Sequence, residues 1–352
     1  MTGFLKFFSF LLIPISLLWE WSYRLRRFFY NYDVFASNEY HVPIISIGNV
    51  TFGGTGKTPF TMWLSEYLET LEKDVLILMR GYKGKLEHSS GIIKADRRLG
   101  FNPKEYGDEA LLLARRLKNA SIVVGKKRSK NLDYYFPRVK PDVVLLDDGH
   151  QHLKIKRNLN IVLFDALMPL NRYKVAPRGY MREGFRAMLD ADLVIIGRVD
   201  QVDPTQLQNL KNLIFKNLPT NLPVAEMRYR PRGFYSSTYQ KKFHLKEITG
   251  KKVICVAGIA SPVSFFNLID SLGAEIIKTE SFPDHHDFNQ DDLADVLKLA
   301  DEHDAYIVTT EKDMVKMRKI AEDPRILYLE IQVEFLNGED LVKKAVDEVV
   351  KL

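Results

Sequence analysis

The residues most able to do chemistry lie in one stretch, IISIGNVTFGGTGKTPFT, at positions 44–61. Gly53, Gly54 and Gly56 carry no Cβ, so the backbone between them can close on phosphate oxygens. Thr51, Phe52 and Thr55 complete the loop. Lys57 can set a point charge against the β- and γ-phosphates of a nucleotide, and Thr58 can offer a hydroxyl to Mg²⁺. Such a loop needs an apolar strand feeding it and a helix leaving it, with the helix's positive end on the anion. Residues 42–47, VPIISI, are strand-like, and Phe60, Trp63, Leu64, Tyr67, Leu68 and Leu71 recur at spacings of three and four, as on one helix face.

The stretch resembles a Walker A loop, with Thr51 where the general pattern has glycine; an ordinary glycine-rich turn is the alternative. Residues 141–148, PDVVLLDD, form a buried-type strand ending in Asp147 and Asp148. That is how a Walker B strand delivers acids beside a phosphate loop to hold Mg²⁺, directly or through water. His150, Gln151 and His152 follow. Two histidines beside two aspartates also permit a zinc reading, but no cysteine is near and the two rings point oppositely in an extended chain.

Other loops carry charge. RGYKGK at 80–85 puts two glycines and three cations after a strand, either an anion site or a solvated turn. In GDEA, 107–110, Asp108 and Glu109 open a helix, either as partners of its dipole or with one acting as a general base. Lys126, Lys127, Arg128 and Lys130 make a basic cluster whose default is a solvated surface. APRGYMREG at 176–184 holds two arginines, and PDHH at 283–286 reads as a turn with a capping aspartate.

The whole chain has 352 residues, 46% hydrophobic and 27% charged, enough for two domains with real cores. Its single cysteine, Cys255, excludes an internal disulfide, suits a reducing cytoplasm, and reads as a small core residue. A net charge of +6 favours an anionic partner: nucleic acid, anionic lipid or a phosphorylated substrate. Residues 7–19 are uncharged, shorter than the ~20 a spanning helix needs, and interrupted by Pro14. Trp19, Trp21, Arg24, Arg26 and Arg27 follow, the order of a helix lying in a leaflet of anionic head groups. A buried core helix and a single spanning helix are the alternatives. Strands alternating with helices to about residue 217 imply a parallel sheet covered on both faces, with the phosphate loop and Asp147–Asp148 on one edge. The expected organisation is an N-terminal membrane-associating helix (1–32), a P-loop domain (33–225), a β-rich connector of exposed strands (226–250) and a smaller C-terminal α/β domain (251–352).

Taken together, GNVTFGGTGKTPF, RGYKGK, GDEA, DDGHQH, APRGYMRE, FPDHH and TTEKD resemble the tetraacyldisaccharide 4′-kinases, in family order from residue 48 to 313. The resemblance implies transfer of the ATP γ-phosphate to the 4′-hydroxyl of a tetraacylated glucosamine disaccharide 1-phosphate, at the cytoplasmic face of a bacterial inner membrane. It implies that residues 51–58 hold the triphosphate and that Thr58, Asp147 and Asp148 manage Mg²⁺. It implies that Asp108 is the base, with His285 reaching across from the second domain. Arg80 and Arg182 become candidates for the substrate 1-phosphate or the transferred phosphate, and Glu109 and Gln151 for further substrate contacts. The sequence departs from the family at His150, usually apolar, and at Gly184, usually proline.

Two rival classes predict different residues. A membrane-docked P-loop switch ATPase would share the loop without lipid transfer. Its GTPase form needs a base-reading lysine where Glu311 stands and an aspartate where Leu146 stands. A nucleic-acid adaptor needs aromatics among its basic clusters, and only Phe234, Tyr235 and Tyr239 come close.

Overall fold

The computed structural model describes residues 10, 12–95, 102–219, 221–238, 240–318, 320 and 323–351. Part of the N-terminal apolar run (residues 7–9 and 11) and Tyr239 lie outside them.

Apolar, β-branched runs form the strands. β1 (Ile44–Asn49), β2 (Val75–Met79), β4 (Ser121–Val124), β5 (Val143–Asp147), β6 (Leu159–Asp165) and β7 (Leu193–Gly197) are buried along their whole length. Such runs are covered on both faces. β3 (Gly91–Lys94) closes one end of the sheet, antiparallel to β4. The sheet continues through β8 (Val224–Ser236), with the short β9 (Lys241–Phe243) paired to it, into β10 (Lys252–Ala257), β11 (Glu275–Ser281), β12 (Tyr306–Thr310) and β13 (Ile326–Asn337). The order is β11-β10-β12-β13-β8-β7-β6-β1-β5-β2-β4-β3.

The connector departs from its expectation of exposed strands. β8 is internal, parallel to β7 on one side and antiparallel to β13 on the other. Its alternation of aromatic and basic residues reflects two covered edges and two differently buried faces. The sheet therefore runs unbroken past residue 226. The last helix, Glu339–Val350, returns to the first half: Val342 and Val346 are buried with Ile45, Leu163 and Ile195. Tyr67 donates to Asp347 at 2.7 Å. Cys255 is a buried core residue, its thiol pushed up to about 12 by burial.

Helix α1 spans Ile13–Asn31. Pro14 begins it rather than interrupting it, because a first-turn residue needs no N–H partner. Leu17, Leu18, Trp21 and Phe28 are exposed along one side, so this is not a buried core helix. No helix among the described residues is long and apolar enough to cross a membrane. The arginines do not all face outward as the head-group reading requires. Arg27 is buried, with Nε 2.6 Å from Glu183 and Nη1 2.6 Å from Asp190. Arg26 donates to the carbonyl of Gln151, and Arg24 pairs with Glu20. Helical spacing turns Arg27 away from the apolar stripe and onto the 183–190 segment.

His150, next to the paired aspartates, serves this docking. His150 is fully buried, its Nε2 3.3 Å from Arg27 and its Nδ1 3.2 Å from the Asn160 amide. Burial and the neighbouring arginines hold both His150 and His152 down at about 3. Each stays neutral when folded but titrates near 6.5 when unfolded, so below that pH only the unfolded chain takes up the proton. Stability is complete above about pH 6.5 and falls as pH drops towards 3, by up to ~1.4 kcal/mol per unit for each group. Melting temperature should therefore fall steadily from pH 7 to 5.5, and His150→Leu should roughly halve that slope. A flat profile over this range would contradict the assignment.

Candidate active site

The loop after β1 is shaped for an anion. Helix α2 (Lys57–Thr70) starts behind Gly56, which sits at φ +86°, with no side chain capping the first turn and no acid in it. Its leading N–H groups are left for a ligand. A Cβ at Gly56 would collide with the Tyr229 hydroxyl from β8, so both φ and space demand glycine there. Asn49 donates to Thr55 Oγ1 at 2.9 Å, and Arg198 to the carbonyl of Gly54 at 3.2 Å. Arg198 itself is buried on Asp165. Thr51 is buried and bridges to Met181, while Phe52 is partly exposed beneath the Arg182 guanidinium.

Parallel pairing puts Asp147 opposite Ile47, and so beside the loop. Asp147 is almost fully buried and accepts from Thr61 at 3.2 Å; among the described residues no lysine or arginine pairs with it. Burial, with the charge of Glu109 second, pushes its carboxyl up to about 7. Asp148 is the opposite case. Burial opposes its ionisation, but Lys57, Arg182 and Arg128 outweigh it and hold the carboxyl well below the usual range. Lys57 Nζ lies 3.5 Å away and Arg182 Nη1 spans both oxygens at 2.9 and 3.0 Å. Gln151 completes this corner, accepting from Arg182 at 3.4 Å and donating to the carbonyl of Asn49 at 2.9 Å.

Asp108 opens helix α3 (Asp108–Arg116) behind Gly107, and its Oδ1 accepts the Glu109 N–H at 2.9 Å. Its Oδ2 is 3.1 Å from Nδ1 of His285, which follows β11. Burial alone would raise Asp108; the His285 hydrogen bond and the charges of Lys312 and Lys316 prevail and pull it to about 2. These groups share one cleft of about 950 Å³, lined by the loop, Asp108, Glu109, Asp147, Asp148, His285 and Lys312. The size suits a nucleotide-sized ligand.

The structure brings most of the residues singled out in the sequence to this one cleft, together with several that the sequence did not mark. Arg128 was assigned to a solvated cluster; it is buried and donates to the carbonyl of Asp148 at 2.9 Å. Its position just past β4, on the sheet's carboxyl edge, was the available signal. Arg80 lines the rim of the cleft, half-exposed and paired with Glu87 at 2.7 Å. Lys312 sits 3.1 Å from Nε2 of His285, and Glu311 pairs with Arg116 at 2.9 Å. Neither contact, nor that of Tyr229, has a mark in the sequence, since each joins residues far apart in the chain.

A mostly parallel sheet with helices on both faces, a glycine loop ending in Lys-Thr, and an acid-tipped strand beside it define a P-loop NTPase-type fold. The family model for tetraacyldisaccharide-1-P 4′-kinase matches residues 8–351. A tetraacyldisaccharide 4′-kinase of Anaeromyxobacter sp. (strain Fw109-5) is 34% identical over 319 residues, covering 90% of this chain and 85% of the relative. One from Halothermothrix orenii is 32% identical over 325 residues, covering 89% and 84%. The crystal structure of LpxK from Aquifex aeolicus in complex with ATP superposes with a TM-score of 0.77 at 27% identity, covering 97% of this chain and 99% of that one. The chain belongs to the tetraacyldisaccharide-1-P 4′-kinase family, and is an enzyme of the kinase class.

Proposed function

We propose that the protein transfers the γ-phosphate of ATP to the 4′-hydroxyl of a tetraacylated glucosamine disaccharide 1-phosphate, a step of lipid A synthesis. The observation that carries the site assignment is the Asp108–His285 contact, formed between distant segments on the wall of the cleft that also holds Lys57. Residues 51–58 cradle the triphosphate with backbone N–H groups, and Lys57 offsets its charge. Asp108 accepts the proton of the sugar hydroxyl as the new O–P bond forms and the bond to ADP breaks. The acceptor oxygen and the phosphoryl group need alignment more than covalent help. Arg182, Gln151, Glu109 and Arg80 are the candidate contacts for the sugar and its phosphates.

The donor set also fits Mg²⁺. Asp147 is a buried acid with no lysine or arginine paired to it among the described residues, set beside the Thr61 hydroxyl and the phosphate loop, and hard oxygens of this kind suit that ion. Thr58, Asp147 and Asp148 would hold it, and when bound it neutralises phosphate charge.

The exposed apolar stripe of α1 rests on a leaflet, with the chain's net +6 favouring an anionic one at the cytoplasmic face of the inner membrane. The helix also touches the site's own loop: Trp19 Nε1 donates to the carbonyl of Arg182 at 3.0 Å. Docking and substrate binding therefore meet at one segment. Labelled ATP incubated with anionic vesicles carrying the disaccharide 1-phosphate should pass label to the glycolipid. Leu18→Asp with Trp21→Asp should abolish transfer on vesicles while leaving it intact on detergent-dispersed substrate. Label remaining in ATP or free phosphate would refute the kinase reading; vesicle activity in the double variant would refute the docking.

A further inference from the structure

His285 stands in a left-handed backbone conformation, φ +59°, which a non-glycine residue rarely adopts. Its N–H reaches the carbonyl of Gly258 at 3.2 Å, and the Gly258 N–H donates to Asp313 at 2.8 Å. Asp313 is fully buried and also accepts from Thr310 at 2.8 Å. The helix Glu311–Met317 thus fixes the turn that presents the imidazole, and Lys312 lies in its first turn. Lys312 Nζ is 3.1 Å from Nε2 of His285, 3.4 Å from Glu109 Oε1 and 3.5 Å from Asp284 Oδ1. The other groups facing the ring pair are Asp108, Asp284 with Oδ1 3.9 Å from Nε2, Lys316 with Nζ 4.0 Å from Asp108 Oδ2, and Tyr82, whose ring meets the imidazole edge-on at 5.2 Å between centroids.

An ammonium group has three hydrogens and no acceptor, so at this distance it can only donate to the ring nitrogen. We propose that Lys312 is a positioning residue for phosphoryl transfer, donating to Nε2 of His285 and so leaving the ring's single proton on Nδ1, against Asp108. The opposite tautomer would set N–H against ammonium and a lone pair against carboxylate, two repulsions at once. Glu109 and Asp284 hold the ammonium in place by its remaining hydrogens. The inference rests on reading Asp108 as the base.

The test is the ¹⁵N spectrum of the full-length protein labelled at histidine, with His285 assigned by difference from His285→Gln. At pH 7.5 the wild-type ring should show a protonated Nδ1 and a bare Nε2. Lys312→Met should keep the proton on Nδ1, which Asp108 also favours, but move the Nε2 resonance to that of a nitrogen accepting no hydrogen bond, and lower kcat ~10-fold at unchanged KM for ATP. Lys312→Arg, which keeps charge and donors, should return the Nε2 resonance to its wild-type position. A protonated Nε2 in the wild type would overturn the inference, as would an Nε2 resonance that does not move in Lys312→Met. Should the methionine variant not fold, the wild-type Nε2 resonance decides: at the position of a nitrogen accepting no hydrogen bond it overturns the inference, and displaced from that position it upholds the inference. Full activity in Asp108→Ala would remove the base instead, which the ring spectrum does not depend on, so the two failures are separable.

Discussion

Asp108→Ala should lower kcat by about 10²–10⁴-fold, the range for loss of a general base, with little change in KM for ATP. The carboxylate is already ionised at any working pH, held at about 2 against the cost of its burial by His285, Lys312 and Lys316. It is thus ready to accept a proton, but so low a value makes it a weak base in the resting state. Its basicity must rise as substrate enters and displaces water from the cleft, which disfavours the charged form. The measurement is single-turnover transfer from labelled ATP to glycolipid. Because removing Asp108 leaves Lys312 and Lys316 facing each other's charge, a thermal melt must accompany it. His285→Ala should cost less, ~10–10²-fold, since it orients the acid rather than accepting the substrate proton. A variant with wild-type turnover would remove that residue from the mechanism.

Lys57→Met should lower kcat/KM for ATP by about 10²–10³-fold, comparable to losing one preorganised donor at a charged centre. The lysine lies 3.5 Å from Asp148, which Arg182 also holds through both oxygens. The arginine therefore keeps Asp148 ionised when the lysine turns to phosphate. The fold should survive the change, because α2 is anchored by Phe60, Leu64 and Leu68, all fully buried. Nucleotide affinity by fluorescence titration separates lost binding from lost chemistry. Near-wild-type kcat/KM would mean that the triphosphate lies elsewhere in the cleft.

The sequence by itself determined the phosphate loop and the strand that feeds it. Lys57, Thr58 and the glycines follow one another along the chain, so their spacing and the periodicity around them carry the geometry directly. The acid-tipped strand was legible for the same reason, and its place beside the loop followed from parallel pairing. The pairing of Asp108 with His285 could be expected only through resemblance to a family, because 177 residues separate the two. Tertiary structure alone decided what composition cannot encode: that Arg128 turns inward to a carbonyl, that Arg27 leaves the exposed apolar side of α1 for Glu183, and that β8 joins both halves in one sheet. It also put Lys312 on the far nitrogen of the imidazole. A charged side chain reads the same in sequence whether it meets water or a buried carboxylate, and only packing decides which of the two it meets.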